Sequence, residues 1–283
     1  MSNVKCKMAN VKCKMKMRVA VLMTCYNRVE KTIECLRRLF AQKLPDARSF
    51  DVWLVDDASP DKTGDKVKAT FPRVNVVQGT GNLFWCKGMH LAWKSAAAHC
   101  DYDGYFWLND DTFLFDSAFE TFAADAMACP DAILVGAVED SEGKICYGLK
   151  DAGGYVVPNG KPAMVAGGMN GNAVLVPRSV FMRLGFIDSG YTHGFGDYDY
   201  ADVARRAGIG TVLTSRTVGR CSFNPGYVGK TADLSLFARC KLLFSPKGFP
   251  LADCWHYRRK FHGTARALAS CLHVVYVVLT GKR

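Results

Sequence analysis

The sequence predicts an α/β fold, built on a mostly parallel sheet with helices on both faces. Short apolar runs alternate with segments of helical spacing along the first 130 residues. This alternation is typical of a parallel sheet covered on both sides. With 283 residues, 49% of them hydrophobic, the chain is long enough for one sizeable core. Three polar clusters follow predicted strands, where open α/β sheets bind their ligands.

The first 130 residues contain the clearest elements, because apolar runs predict strands and an apolar residue at every third or fourth position predicts a helix. We expect strands at 19–23, 52–55, 74–77 and 105–108, and helices at 30–42, 61–70, 88–99 and 117–128. The remainder is less regular. There we expect strands at 133–138, 174–177 and 212–213, helices at 178–184 and 199–207, and a glycine-rich hairpin region at 139–163.

The excess positive charge lies at the two ends of the chain. The net charge is +11, and residues 1–18 and 256–283 hold six basic side chains each and no acidic one. Basic ends attract phosphate-rich surfaces, so an anionic membrane surface is weighed against plain solubilising charge. No nucleic-acid-binding motif accompanies the charge, and we expect no nucleic-acid partner. We divide the chain into a basic, disordered extension (1–17), a main domain (18–228) and a basic helical extension (229–283).

Cysteine usage and the two ends bear on the location of the protein. The 12 cysteines include no CxxC pair and are irregularly spaced, which favours reduced thiols in a cytoplasmic compartment. The lysine-rich start has no apolar run of the length that a signal peptide needs. The apolar segment 265–280 is short for a membrane span, which needs about twenty residues. We expect an interfacial helix, peripheral on the inner face of the cell membrane, or a helix packed on the body.

The first polar cluster is Thr24-Cys25-Tyr26-Asn27-Arg28, directly after the first strand. A dinucleotide-binding fold places GxGxxG here, and the absence of glycine argues against a dehydrogenase. An aromatic ring beside small polar groups suits a planar base and its ribose. The alternative is an ordinary helix start with Asn27 as its N-cap.

The second and third clusters each contain adjacent acids. In Asp56-Asp57-Ala58-Ser59, a carboxylate can accept the N3–H of a uracil or thymine ring, and an Asx turn is the alternative. In Asn109-Asp110-Asp111-Thr112, neighbouring carboxylates after a buried strand suit a hard cation that shares its oxygen ligands with substrate phosphates. Such a metal neutralises a diphosphate leaving group. Another turn is the alternative for this cluster.

The fourth cluster begins where a glycine-rich loop, Gly194-Phe195-Gly196, enters a helix. Asp197 lies at this entry, where a carboxylate can act as general base toward an acceptor hydroxyl. Asp199 lies in the first helical turn, where an acid also favours the helix dipole. Asp202 is expected on another face of the helix.

Together these motifs resemble family 2 glycosyltransferases of the GT-A fold, in particular the rhamnosyltransferase-like bacterial type. The resemblance rests on TCYNR (24–28), VDDAS (55–59), LNDD as the DXD-type motif (108–111), and GDYDYADVARRAG (196–208). It extends through GTGNLFWCKGMHLAW (79–93), MNGNAVLVPRSVF (169–181) and SPKGFP (245–250), and so covers roughly residues 18–262.

The resemblance implies a GT-A catalytic domain, a Rossmann-like nucleotide-diphospho-sugar transferase, with a helical extension after it. It implies inverting transfer of a sugar from a UDP- or dTDP-sugar to a hydroxyl of a carbohydrate or lipid-linked acceptor, in cell-surface polysaccharide or glycolipid synthesis. The implied cofactor is a divalent metal, Mn²⁺ or Mg²⁺. A nucleotidyltransferase or a non-catalytic nucleotide-sugar-binding protein is the alternative. The former favours a glycine-rich, basic loop after the first strand, which TCYNR is not.

The resemblance also implies residue roles. Asp110 would contact the ribose, Asp111 the metal, and Asp197 would deprotonate the acceptor. Asn170, Asn172 and Asp199 would be acceptor or secondary contacts. The donor site would comprise Thr24, Tyr26, Asn27, Arg28, Asp57, Asn82, Lys87, Gly88 and Asp110.

One departure from the family pattern concerns the metal. Many members carry a metal-binding His after the strand that follows the catalytic helix, and the corresponding segment 217–224 has none. Either Cys221 or Asn224 would substitute, or the metal would keep an extra water, and His193 and His262 are further candidates. The first position of the DXD-type motif is also Asn109 instead of Asp.

Overall fold

The computed structural model describes residues 17–44, 48–222, 234–243, 245, 248 and 250–280. The predicted basic extension before residue 17, the predicted boundary at residue 229 and the metal-ligand candidate Asn224 lie outside the described residues. The domain division therefore stays a prediction.

Thirteen strands and nine helices occur within the described residues. The strands are β1 (Met17–Cys25), β2 (Arg48–Asp56), β3 (Val74–Gln78), β4 (Gly104–Leu108), β5 (Phe113–Leu114), β6 (Ile133–Glu139), β7 (Ile145–Tyr147), β8 (Leu149–Asp151), β9 (Gly154–Tyr155), β10 (Ala163–Met164), β11 (Gly168–Met169), β12 (Ala173–Pro177) and β13 (Thr211–Arg220). The helices are α1 (Val29–Phe40), α2 (Thr63–Thr70), α3 (Phe84–His99), α4 (Ala118–Ala128), α5 (Arg178–Leu184), α6 (Gly196–Arg206), α7 (Leu236–Leu243), α8 (Leu251–His262) and α9 (Thr264–Thr280).

Each strand and helix predicted from the sequence is present, and the differences lie at the boundaries. The strand expected at 212–213 is the ten-residue β13, and α3 begins four residues before the expected start at residue 88. The glycine-rich region 139–163 contains β7 to β9 and leads into β10. The fold class is thus α/β, as predicted.

The main sheet is mixed, with most of its long strands in one direction. Its order is β10-β13-β6-β12-β4-β1-β2-β3, and β5 and β7 pair with β13 and β6. Neighbours among β3, β2, β1 and β4 pair in parallel, as do β6 and β13. Strand β12 lies between β4 and β6 and is antiparallel to both. The carboxyl ends of β1, β2 and β4 therefore meet at one edge, which places three polar clusters side by side.

Helices cover both faces of the sheet, as the alternation of elements predicts. Side chains of α3, α5 and α6 fill one core layer, and side chains of α1, α2 and α4 fill the other. Successive residues of β1 show the division, because Leu22 joins the first layer with Trp93 whereas Val21 joins the second with Leu36. Burial on both faces explains the continuous apolar runs of the strands.

Helix α8 packs on the rest of the fold through polar contacts and through Tyr257, which joins the first core layer. The Lys260 amine on α8 donates to Asp199 on α6 at 2.9 Å and to Asp188 at 3.1 Å. The Tyr257 hydroxyl donates to Asp202, which lies three residues after Asp199 on α6, so both carboxylates face α8. Over the described part of the chain, α9 and the other helices all fall short of the length or apolar character that crossing a membrane requires.

Candidate functional site

A cavity of about 340 Å³ opens at the carboxyl ends of β1, β2 and β4. The first three polar clusters all contribute to its wall, as expected from the parallel pairing of these strands. Its lining residues are Thr24, Cys25, Tyr26, Arg28, Asp57, Gly81, Phe84, Trp85, Asn109, Asp110, Asp111, Tyr147, Asn172, His193, Cys221 and Ser222.

The first cluster faces the cavity through Thr24, Tyr26 and Arg28, but Asn27 does not line it. Asn27 has a left-handed backbone with φ of 54°, and its side chain does not cap α1. The N-cap interpretation of Asn27 is therefore wrong. The Asp61 carboxylate instead accepts a hydrogen bond from the first amide of α1, at Val29, over 3.1 Å.

In the second cluster, the Asp57 carboxylate organises the loop before α3. One oxygen accepts the Gly81 amide at 2.7 Å, and the other accepts the amides of Leu83 and Phe84 at 2.9 and 3.0 Å. The neighbouring Asp56 accepts other backbone amides. Backbone donors thus stabilise both carboxylates, and Asp57 places Gly81 and Phe84 against the cavity.

The loop before α3 contributes different residues from those predicted. The structure does not place Asn82, Lys87 or Gly88 against the cavity, in contrast to the expectation of donor contacts. Gly88 instead permits close packing, because a Cβ there would lie 2.3 Å from the Thr24 hydroxyl oxygen. Phe84 and Trp85 line the cavity, whereas the sequence singled out other residues of the same segment. An aromatic pair next to a glycine-bounded loop is the sequence signal that could have identified them.

The third cluster forms an ion pair with the first. The Arg28 guanidinium nitrogen Nη1 lies 3.1 Å from Oδ1 of Asp110 and 2.8 Å from Oδ2 of Asp111. Burial raises the pKa of Asp110 to about 6, although Arg28 opposes this rise. The Thr32 hydroxyl also donates to Asp110, at 3.3 Å. The acidic pair therefore lies in the cavity wall with one positive charge already beside it.

The residues around Asp110 and Asp111 fit a divalent ion that draws most of its ligands from substrate and water. The Cys221 thiol lies 3.7 Å from Asp111, but burial raises its pKa to about 12, and a neutral thiol is a poor ligand for a hard cation. In the chain as described, no three His, Cys, Asp or Glu side chains form a group that could hold a metal. One or two carboxylates plus phosphate oxygens are a usual set for Mg²⁺. His193 lines the cavity, whereas His262 does not.

The fourth cluster places Asp197 near the start of α6. Its carboxylate accepts the Gly171 amide at 3.1 Å and the Tyr198 amide at 2.9 Å. Burial raises the pKa of Asp197 to about 6, and the two amide hydrogen bonds limit the rise. At neutral pH the group is ionised yet more basic than an ordinary aspartate, which suits a general base.

Asp197 does not line the cavity itself but adjoins one of its walls. A Cβ on Gly171 would lie 2.6 Å from the Trp85 ring and 3.5 Å from the Asp197 Cβ. Trp85, which lines the cavity, also donates its indole N–H to the Asn109 side chain at 2.7 Å. Trp85 and Gly171 therefore connect Asp197 to the cluster at the end of β4.

The secondary residues divide into one that lines the cavity and two that do not. Asn172 lines it and donates to the Thr112 hydroxyl at 3.2 Å. Asn170 does not line it, and its buried side-chain oxygen has no hydrogen-bond partner among the described residues. Asp199 is 2% exposed and accepts hydrogen bonds from the Tyr191 hydroxyl and Lys260, so the prediction of an acceptor contact at Asp199 is wrong.

Sequence reasoning missed the part that α8 has in this site. Asp253, 1% exposed in the first turn of α8, accepts the backbone amides of Thr192, His193 and Gly194 at 3.0 to 3.3 Å. These bonds hold the loop that carries His193 into the cavity and leads into α6. No sequence motif marks a contact between groups about sixty residues apart.

Comparisons with known proteins agree with this geometry. The model of the family described as glycosyl transferase family 2 matches residues 20–148, which include the first three polar clusters. A sequence comparison with curated proteins finds no match.

Solved structures show the same fold at low sequence identity. S. aureus TarS 1-349 in complex with UDP-GlcNAc has a TM-score of 0.57 at 14% identity, over 92% of this chain and 82% of that one. A mannosyltransferase from Pyrobaculum calidifontis in complex with GDP-Man and Mn²⁺ has a TM-score of 0.53 at 18% identity, over 94% and 76%. GalNAc-T7 with UDP, GalNAc and Mn²⁺ has a TM-score of 0.57 at 13% identity, over 74% and 44%.

The family match falls on the strands whose ends build the cavity, and the similar structures extend the agreement in fold through the second half of the chain. Residues 20–148 thus match the model of glycosyl transferase family 2, and the chain has the GT-A fold.

Proposed function

We propose that the protein is a glycosyltransferase that moves a sugar from a nucleotide-diphosphate donor to an acceptor hydroxyl with inversion at the anomeric carbon, and that Asp197 is its general base. The observation that carries the proposal is the position of Asp197. It lies at the start of α6, is held by two backbone amides, and adjoins the cavity wall at Trp85. A raised pKa at such a place is typical of a group that takes protons during catalysis.

The donor occupies the cavity at the ends of β1, β2 and β4. Thr24, Tyr26 and Asp57 hold the nucleoside, and Asp110 contacts the ribose. Tyr26 lines the cavity and is 44% exposed, so a base that enters the cavity can stack on its ring. We propose a UDP- or dTDP-sugar, which agrees with the uridine nucleotides in the TarS and GalNAc-T7 structures, whereas the Pyrobaculum enzyme is seen with GDP-Man.

Asp111 would hold a divalent ion, Mn²⁺ or Mg²⁺, together with the diphosphate of the donor. Two similar structures contain Mn²⁺, which supports this assignment. When bound, the ion stabilises the negative charge that develops on the leaving diphosphate. Arg28 is a basic side chain that can add to this stabilisation, because it already contacts Asp110 and Asp111.

The chemical step is a single displacement. The acceptor oxygen forms a bond to the anomeric carbon while the bond from that carbon to the diphosphate oxygen breaks. The acceptor proton moves to a carboxylate oxygen of Asp197, and the nucleoside diphosphate leaves with the bonding electron pair. Attack opposite the leaving group inverts the anomeric configuration. Asn172, which lines the cavity near Asn109, is our candidate for an acceptor contact, and Asn170 is a secondary candidate because its buried side-chain oxygen has no partner among the described residues.

The acceptor is a carbohydrate or a lipid-linked glycan, and the biological role is cell-surface polysaccharide or glycolipid synthesis. We place the protein in the cytoplasm, peripheral on the inner membrane face. Along α9, Leu268, Leu272 and Tyr276 are more than half exposed at four-residue spacing, so they share one face. Residues 256–283 contain six basic and no acidic side chains. Apolar residues flanked by basic ones are typical of helices that lie on anionic membranes.

A turnover assay on a panel of nucleotide-sugars tests the proposal. With Mn²⁺ present, we expect hydrolysis or transfer from one of them, at least about a hundredfold slower in Asp197→Asn, as expected for loss of a general base. Calorimetric affinity for UDP should be unchanged in this variant. The matched control is Asp202→Asn on the same helix, whose carboxylate binds Tyr257 and Arg205 away from the cavity. Full turnover in Asp197→Asn contradicts the base assignment.

The membrane proposal has its own test. Recovery in the membrane fraction should drop when Leu268, Leu272 and Tyr276 are replaced by Gln, whereas replacement of Met127 and Met182, also exposed apolar residues, should leave it unchanged. Equal recovery of all variants contradicts membrane binding through α9.

A further inference from the structure

The acidic pair Asp110–Asp111 already has a cation. A single nitrogen of Arg28, Nη1, lies within hydrogen-bond distance of one oxygen from each carboxylate, at 3.1 and 2.8 Å. Asp110 is 5% exposed, so two adjacent negative charges here would repel each other strongly without a positive partner. The guanidinium therefore occupies the position between the carboxylates from which a metal ion would neutralise them.

We infer that Arg28 is a resident counter-cation that excludes the divalent ion from the acidic pair until the diphosphate of the donor draws the guanidinium away. The inference rests on the proposed function, because it takes Asp111 as the metal ligand. It goes further by naming the residue that couples metal binding to donor binding. Metal and nucleotide then enter as a cooperative pair, and the metal alone binds weakly.

Electrostatics makes this exchange necessary. A divalent ion on Asp111 would meet the positive charge of Arg28 a few ångströms away, and the two cations would compete for the same oxygens. No third acidic or His ligand joins the pair among the described residues, so the protein offers the ion little in compensation. Without a diphosphate, the two carboxylates consequently bind the Arg28 guanidinium in preference to a divalent ion, because Arg28 is part of the chain and already lies near them.

The diphosphate reverses this preference. Arg28 lines the cavity, and its side chain is 41% exposed, so it can turn toward a ligand without unfolding α1. Guanidinium groups bind phosphate oxygens in bidentate geometry, and such bonds are stronger than neutral hydrogen bonds. Once Arg28 binds the diphosphate, Asp111 is free for the ion, which completes its shell with diphosphate oxygens and water.

The test measures Mn²⁺ binding by electron paramagnetic resonance of the free ion, on the full chain, with and without UDP. Arg28→Gln removes the charge and keeps a polar side chain. Arg28→Lys keeps the charge. The matched control is Arg220→Gln, because Arg220 pairs with Glu139 beside the cavity-lining residues Cys221 and Ser222 but does not contact the acidic pair. Circular dichroism confirms the fold of each variant.

Without nucleotide, we expect Arg28→Gln to bind Mn²⁺ about tenfold more tightly than the wild type, a coupling of ordinary size. Arg28→Lys and Arg220→Gln should stay within about twofold of the wild type in the same measurement. Saturating UDP should increase the Mn²⁺ affinity of the wild type about tenfold more than that of Arg28→Gln, because only the wild type has a competing cation to release.

Two results overturn the inference. One is that Arg28→Gln binds Mn²⁺ without UDP no more tightly than the wild type, while UDP increases the Mn²⁺ affinity of both proteins. The metal site is then supported, but Arg28 does not exclude the ion from it. If neither protein binds Mn²⁺ with or without UDP, the metal assignment of the proposed function fails, and the inference fails with it.

Discussion

Trp85 donates its indole N–H to the side-chain oxygen of Asn109 over 2.7 Å, and this bond joins the start of α3 to the end of β4. The Trp85 ring also packs edge-on against Trp107 in β4. Both partners of the hydrogen bond line the cavity, and the Trp85 ring lies against Gly171, whose amide binds Asp197. The pair therefore holds the wall between the donor cavity and the candidate base.

The first prediction concerns this pair. Trp85→Phe and Asn109→Ala should each slow turnover by about five- to tenfold, because a lost hydrogen bond of about 1 kcal/mol loosens the wall. The double variant should be little slower than either single one, since both remove the same bond. Steady-state rates of the four proteins form a double-mutant cycle. Fully additive effects would show that the bond does not contribute to turnover.

The second prediction uses the pKa of Asp197, which burial raises to about 6. Protonation disables a general base, so kcat should fall as the pH is lowered through about 6. The raised pKa also means that the folded protein binds this proton more tightly than the unfolded chain. The contribution of this proton to stability is therefore present at low pH and is lost as the pH rises through about 6.

Asp197→Asn separates these two effects, because it removes the charge at every pH. The variant should be more stable than the wild type by about 1 to 2 kcal/mol at pH 8, because the wild type then buries the ionised carboxylate whose pKa is raised. At pH 4 the difference should vanish. Urea unfolding at both pH values measures it. If the stability difference between the wild type and the variant is the same at both pH values, the result contradicts a raised pKa of Asp197, whatever the rates show.

The third prediction concerns the support that α8 provides. Asp253→Ala should lower the free energy of unfolding by about 2 to 3 kcal/mol, because three amides that bind a carboxylate lose their acceptor. Turnover should fall as well, since the loop that carries His193 leads into α6. The comparison is Glu120→Ala on the exposed surface of α4, expected within about 0.5 kcal/mol of the wild type. Equal stability of the two variants would contradict the role of Asp253.

The fourth prediction concerns Gly88, which packs against Thr24. A Cβ there would lie 2.3 Å from the Thr24 hydroxyl oxygen and 2.9 Å from its Cβ. Gly88→Ala should therefore separate α3 from β1 and cost about 1 to 3 kcal/mol of stability. UDP affinity should fall too, because Thr24 lines the cavity. Thermal unfolding and calorimetry measure the two effects, and unchanged UDP affinity would separate Thr24 from the nucleoside site.

Sequence patterns were sufficient for the fold and for three of the four clusters, because those depend on short-range order. Apolar runs and helical spacing predict β1 to β4 and α1 to α4, and parallel pairing then requires that the clusters after β1, β2 and β4 meet at one edge. The placement of Thr24, Tyr26, Arg28, Asp57, Asp110 and Asp111 around one cavity follows from that rule.

Side-chain partners were beyond the reach of the sequence, because they depend on distances between residues far apart in the chain. Asp197 and Asp199 are two residues apart on one helix, yet Asp197 adjoins the cavity wall while Asp199 is buried against Tyr191 and Lys260. Lys87 and Gly88 lie in α3 but do not line the cavity. Gly81 and the first two residues of α3, Phe84 and Trp85, line it instead.

The sequence alone determined the α/β fold, the acidic pair after β4 and the resemblance to family 2 glycosyltransferases, since local periodicity and motif order require no knowledge of contacts. Only the tertiary structure decided that Arg28 lies between Asp110 and Asp111, and that Asp253 supports the loop before Asp197. These contacts join residues 60 to 83 positions apart, and the folding of the sheet and of α8 brings them together.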